Sequence, residues 1–119
     1  MIQRLVIFIV FSIAVVSHAQ QEVRIHSHND YEQRVPFWDA FSAGAKSIEA
    51  DVFFKDGELF VAHEREHIRM GRTLETLYLM PLKRAEKIYG GEHLGFQLMI
   101  DVKTEAYITL EAIVAALEV

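Results

Sequence analysis

Six histidines, seventeen aspartates and glutamates and no cysteine set the chemical repertoire of this 119-residue chain. Without cysteine there is no thiolate nucleophile, no Cys-ligated zinc site and no disulfide framework. The informative residues are imidazoles and carboxylates in a particular order. His26 and His28 stand two apart in His26-Ser27-His28-Asn29-Asp30-Tyr31. Glu49 and Asp51 lie in the alternating run Ser47 to Phe54, and His63 follows Leu59-Phe60-Val61-Ala62. Asp101 and Lys103 close the apolar run from Phe96. Residues two apart on a strand point to the same face, so Glu49 and Asp51 project together. Converging carboxylates repel one another, which raises their pKa values, and a divalent cation removes that penalty. An all-oxygen ligand set suits Mg²⁺ or Ca²⁺ better than zinc. Imidazoles beside such a site suit general acid–base work, because they titrate near neutrality. Each feature alone has a plainer reading: a solvated strand face for Glu-x-Asp, a satisfied hydrogen-bond donor for a strand-end histidine. Their coincidence at the ends of successive strands carries the case.

The elements that must position these residues alternate. Glu22 to His26 reads as a short strand, and Tyr31 to Pro36 as loop with Pro36 placed as a first helical residue. Phe37, Ala40, Phe41 and Ala43 form a helical stripe ending at Gly44. Ser47 to Phe54 is a strand, Asp56-Gly57 a hairpin turn, and Leu59 to Ala62 the returning strand. Arg65 to Arg72 is polar loop. One helix begins at Thr73 to Leu77, and a second runs from Pro81 to about Tyr89 before Gly90-Gly91. Phe96 to Val102 is a strand and Ala106 to Leu117 an amphipathic helix. Strands alternating with helices predict an α/β fold with a parallel sheet. In such folds the C-terminal strand ends form the active-site face.

A second motif competes. His63-Glu64-Arg65-Glu66-His67 matches His-Glu-x-x-His, the zinc-peptidase signature. That motif works on a helix, where the two histidines share a face. Here His63 ends a strand, no helical apolar stripe follows, and only His93 and scattered glutamates remain as a third ligand. A third reading is a catalytically inactive secreted binding domain or fragment.

Three strings together, His26 to Tyr31, Gly44-Ala45-Lys46-Ser47-Ile48-Glu49-Ala50-Asp51-Val52, and Asp56-Gly57 to His63, resemble the glycerophosphodiester phosphodiesterase and phospholipase-C-like phosphodiesterase superfamily. The branch is the one opening on His-x-His-Asn-Asp-Tyr, and the resemblance spans about Val23 to Lys103. It implies a TIM barrel and metal-dependent hydrolysis or transfer of a glycerophosphodiester or phospholipid-like substrate. It also implies one divalent cation, Mg²⁺ or Ca²⁺, held by Glu49, Asp51 and a third carboxylate, here Asp101. Many glycerophosphodiesterases carry Glu at that third place, and Asp resembles the sphingomyelinase-D-like relatives. The catalytic histidines would be His63 and one of His26 and His28; strand register favours His26, spacing to Glu49 favours His28. Lys103 would add positive charge at the substrate phosphate, its plainer reading being a solvated strand-end lysine.

A net charge of −5 argues against a sequence-independent nucleic-acid binder and leaves a small phosphodiester or phospholipid as the expected partner. Residues 1–19 have the three parts of a secretory signal: Arg4, an apolar run from Leu5 to Val16, and Ser17-His18-Ala19 as a cleavage site. The apolar run is about a dozen residues, against ~20 for a bilayer span. The mature chain would then be residues 20–119, secreted or periplasmic, with no membrane span. A TIM barrel takes about 250 residues. This length therefore predicts the N-terminal portion of such a barrel, its first three or so βα units.

Overall fold

The computed structural model describes residues 23–90 and 94–118. The expected signal segment 1–19 and His93 lie outside the described residues. One four-stranded sheet is built around β2, Ser47–Lys55. On one side its first half pairs in parallel with β1, His26–Ser27, and its second half pairs antiparallel with β3, Glu58–Val61. On the other side it pairs in parallel with β4, Gln97–Val102. The parallel α/β sheet expected from the sequence is therefore present, with a hairpin arm added.

The β2–β3 turn follows from two residues. Asp56 and Gly57 both take positive φ, 51° and 84°, as a two-residue hairpin of right-handed twist requires. Along β2, Ile48, Ala50 and Val52 are fully buried, and these alternate residues form the core face. Phe37, Leu74, Tyr78 and Val61 close over that core.

Three helices follow the strands: α1, Trp38–Ser42; α2, Met80–Tyr89; and α3, Ala106–Leu117. Glu105 caps α3 by accepting hydrogen bonds from the amides of Tyr107 at 3.2 Å and Ile108 at 2.8 Å. The Phe54 amide donates to Thr104 Oγ1 at 2.9 Å, tying the hairpin arm to the start of α3.

Three expectations need correction. The first strand is His26–Ser27 and does not include Val23 to Ile25, because β2 begins at Ser47 and offers a partner only from His26 onward; Glu22, the expected start of the strand, lies outside the described residues. Pro36 does not start the helix: Phe37 follows with φ 65°, and α1 begins at Trp38. The helices expected at Thr73 and Pro81 are one continuous run, with a wide π-type turn over Glu75–Leu79 immediately before α2. Proline has no amide hydrogen to give, and the wider turn accommodates the missing bond. Short 3₁₀ turns also form at Asp30–Glu32 and Arg65–His67, in segments read as loop.

Candidate functional site

The register of β2 against β4 assembles the carboxylates. Asp51 and Asp101 are direct partners across the two parallel strands, and Glu49 lies two residues back on the same face of β2. β4 ends one residue later at Val102, so this is the C-terminal edge of the parallel sheet, and β2 continues past it only as the hairpin arm. Glu49, Asp51 and Asp101 can bring one oxygen each within 4.8 Å of the others, the one such group among the described residues.

Burial differs sharply across the trio. Asp51 is 1% exposed and the Asp101 side chain 46%. Asp51 Oδ2 accepts the Tyr31 hydroxyl proton at 2.9 Å, with Lys103 Nζ at 3.3 Å and His63 Nδ1 at 3.4 Å. Asp51 Oδ1 is buried without a hydrogen-bond partner among the described residues. An unpartnered oxygen on a buried carboxylate is costly, and such a group calls for a specific explanation, a bound ion or an ordered water among them.

The imidazoles divide between two carboxylates. His26 holds Ser47 Oγ at 2.8 Å through Nδ1 and approaches Glu49 Oε2 at 3.5 Å through Nε2. His28 Nε2 lies 3.6 Å from the same oxygen. His63 stands on the other side, against Asp51. The alternatives His26 and His28 thus both face Glu49.

Lys103 faces the two aspartates. Its ammonium is packed between Asp101 and Asp51, and the hydrogen bond to Asp101 raises its pKa above the ordinary lysine value. The zinc-peptidase geometry is not formed. His63 follows β3 by two residues, and the turn at Arg65–His67 starts beyond it, so the two histidines share no helix.

The sequence alone assigns no role to two residues at the site: Tyr31, although it closes the His-x-His-Asn-Asp-Tyr string, and Arg72. Tyr31 is buried, and its hydroxyl lies within 3.2 Å of Asn29 Oδ1, Asp51 Oδ2 and His63 Nδ1. Burial and the hydrogen bond to Asp51 push its pKa well above the ordinary phenol value, so it stays a neutral donor. Arg72 donates through Nη2 to the Tyr31 carbonyl, fixing that segment from 41 residues away.

A parallel sheet with carboxylates and imidazoles gathered at its strand ends is the arrangement expected of a phospholipase-C-like phosphodiesterase, and comparison with known proteins agrees. The family described as "AIM6-like phosphodiesterase domain" matches residues 15–89, and the chain belongs to that family. A relative from Arthroderma benhamiae, "Altered inheritance of mitochondria protein 6 homolog", is 44% identical over 71 residues, covering 55% of this chain and 23% of the relative. "Altered inheritance of mitochondria protein 6" from Eremothecium gossypii is 41% identical over 63 residues, covering 51% of this chain and 16% of the relative. The matched segment therefore spans less than a quarter of either relative. No solved structure matches at a significant level.

Proposed function

We propose that this chain carries the cation-binding and proton-transferring part of a phosphodiesterase acting on a glycerophosphodiester or phospholipid-like substrate. The observation that carries this reading is the buried, unpartnered Oδ1 of Asp51 within the Glu49, Asp51 and Asp101 group. Three carboxylates with one orphaned oxygen fit a hard divalent cation, Mg²⁺ or Ca²⁺. Such an ion, when bound, neutralises non-bridging phosphate oxygens and stabilises charge developing in the transition state. Lys103 now neutralises Asp51 and Asp101 and would yield that place, leaving its charge for the substrate phosphate.

The chain's own residues supply the proton transfers. Tyr31 gives its single proton to Asp51 and can accept one from His63 Nδ1. It is a positioning residue: with Nδ1 so occupied, His63 presents Nε2 as its reactive nitrogen. His26 or His28, on the Glu49 side, is the second acid–base group. One imidazole deprotonates water or a neighbouring substrate hydroxyl, and the other protonates the leaving alcohol.

We further infer that residues 20–119 belong to a larger TIM barrel, after a secretory signal over residues 1–19 that sends the chain to the periplasm or outside. The short match to the relatives' length supports the barrel reading. So does β4, which pairs only with β2 among the described residues, and so do the exposed Tyr107, Ile108 and Leu110 of α3. Among the described residues no helix is long and apolar enough to cross a membrane.

The test is hydrolysis of bis(nitrophenyl) phosphate by the full chain with EDTA, then with Mg²⁺ or Ca²⁺ restored. Activity that EDTA abolishes and the ion restores supports the reading; activity indifferent to EDTA contradicts it. Glu64→Gln should spare much of this activity, whereas it would abolish a zinc peptidase.

A further inference from the structure

Beside His63, on the side formed by the Asp30–Glu32 turn and the segment after β3, lies an open polar cleft of about 320 Å³. Arg69, Arg72, His63 and His67 line it together with Gln33 and the acid Glu32. Arg72 is held in place rather than swinging in solvent. Its side chain is hooked to the Tyr31 carbonyl, its own carbonyl accepts from the Val61 amide at 2.9 Å, and its amide donates to the Arg69 carbonyl at 3.2 Å. Tyr31 is fixed in turn by Asp51. The cleft therefore contains one anchored guanidinium, that of Arg72, in the same lining as His63, and Glu64 lies 3.8 Å from that imidazole.

We propose that this cleft is an anion subsite that takes a second phosphate, carried on the alcohol part of the diester. The proposal rests on the reading of His63 as a group that works on a phosphodiester. Guanidinium groups present planar arrays of donors that match phosphate oxygens, and a preorganised one loses little freedom on binding. Two arginines and an imidazole outnumber the single lining carboxylate, so a dianion is favoured over a neutral polyol. The apolar part of the lining is limited to Val61, Ala62 and the Tyr31 ring, which gives an acyl chain little to pack against.

Inorganic phosphate is titrated into the full chain in ~0.15 M chloride without divalent ions, and the Arg Nε–H and His side-chain NMR signals are followed. Saturable shifts at Arg69, Arg72 and His67 are expected, with affinity weakened about tenfold or more by Arg69→Gln. Glycerol at the same concentration should leave these signals in place. Absence of phosphate binding, shifts unchanged by Arg69→Gln, or equal shifts with glycerol would overturn the subsite. In turnover, Arg69→Gln should raise KM about tenfold for a diester bearing a second phosphate and leave kcat unchanged. A diester without that group should be unaffected; an equal KM effect on both substrates would also count against the subsite. Because the titration requires no turnover, phosphate binding by a chain that hydrolyses nothing keeps the subsite and removes the catalytic reading of His63.

Discussion

Two aspartates are almost wholly removed from solvent, and they are built in opposite ways. Asp30, 0% exposed, has both oxygens served by neutral donors. Ser27 Oγ donates to Oδ1 at 2.8 Å, and the Phe37 amide at 2.6 Å and the Tyr78 hydroxyl at 3.1 Å donate to Oδ2. Asp51, 1% exposed, has one oxygen crowded by Tyr31, Lys103 and His63 and the other without a hydrogen-bond partner among the described residues. The first is a structural clamp. It holds Phe37 at φ 65°, a backbone state that costs on the order of 1–3 kcal/mol and persists only where its surroundings enforce it. The second leaves one buried oxygen without a hydrogen-bond partner among the described residues, and the proposed cation site rests on that oxygen. Burial alone does not distinguish the two aspartates; the balance of their hydrogen bonds does.

The contrast can be broken or sharpened by substitution. The largest effect is expected at Asp51. Asp51→Asn should lower cation-dependent phosphodiesterase activity about a thousandfold or more, since the anionic ligand is lost. Its urea unfolding midpoint should stay nearly equal, because the amide oxygen still accepts from Tyr31 and Lys103 keeps its pairing with Asp101. Asp30→Ala should do the reverse in kind. It leaves the Phe37 amide and the Tyr78 hydroxyl without their acceptor and should cost about 3 kcal/mol in urea unfolding. Cation binding measured on the fraction that remains folded should be unchanged.

A smaller change is expected at Lys103. Its ammonium repels an incoming cation and occupies two of the same carboxylates, so Lys103→Met should tighten Mg²⁺ or Ca²⁺ binding about tenfold. Weaker binding in that variant would show that Lys103 orders the site instead. The smallest effect belongs to Tyr78. Burial, then the charge of Asp30, raises its pKa above the ordinary value of 10.0. The folded chain therefore favours the neutral phenol. That contribution is complete below pH 10.0 and is lost as the pH rises above it. Tyr78→Phe should cost about 1 kcal/mol at pH 7 and make alkaline destabilisation shallower, as read from urea titrations at pH 7 and above 10.

How much of this was legible in the sequence follows from the range of each interaction. Period-two alternation was enough to put Glu49 and Asp51 on one face opposite Ile48, Ala50 and Val52. The Asp56-Gly57 signal marked the hairpin, and the last helix runs from Ala106 to Leu117 as its pattern indicates. Asp101 was anticipated as a strand-end acid, but only the β2–β4 register shows it facing Asp51. The clamp was invisible for the same reason. Asp30 meets Tyr78 across 48 residues, Tyr31 meets Asp51 across 20, and Arg72 reaches Tyr31 across 41. No local propensity encodes those pairings. The first strand is shorter than its alternation suggests, because alternation from Val23 to His26 reports a preference, whereas a strand also needs a neighbour.

The central claim, that Asp51 is unsatisfied because it belongs to a cation site, is tested most directly by calorimetric titration of Mg²⁺ and Ca²⁺ into the full chain and into Asp51→Asn, each first shown to be folded by urea unfolding. The account predicts one saturable site for at least one of the two ions in the full chain and its loss in Asp51→Asn. A folded chain that binds neither ion, or binding that survives Asp51→Asn undiminished, would contradict it.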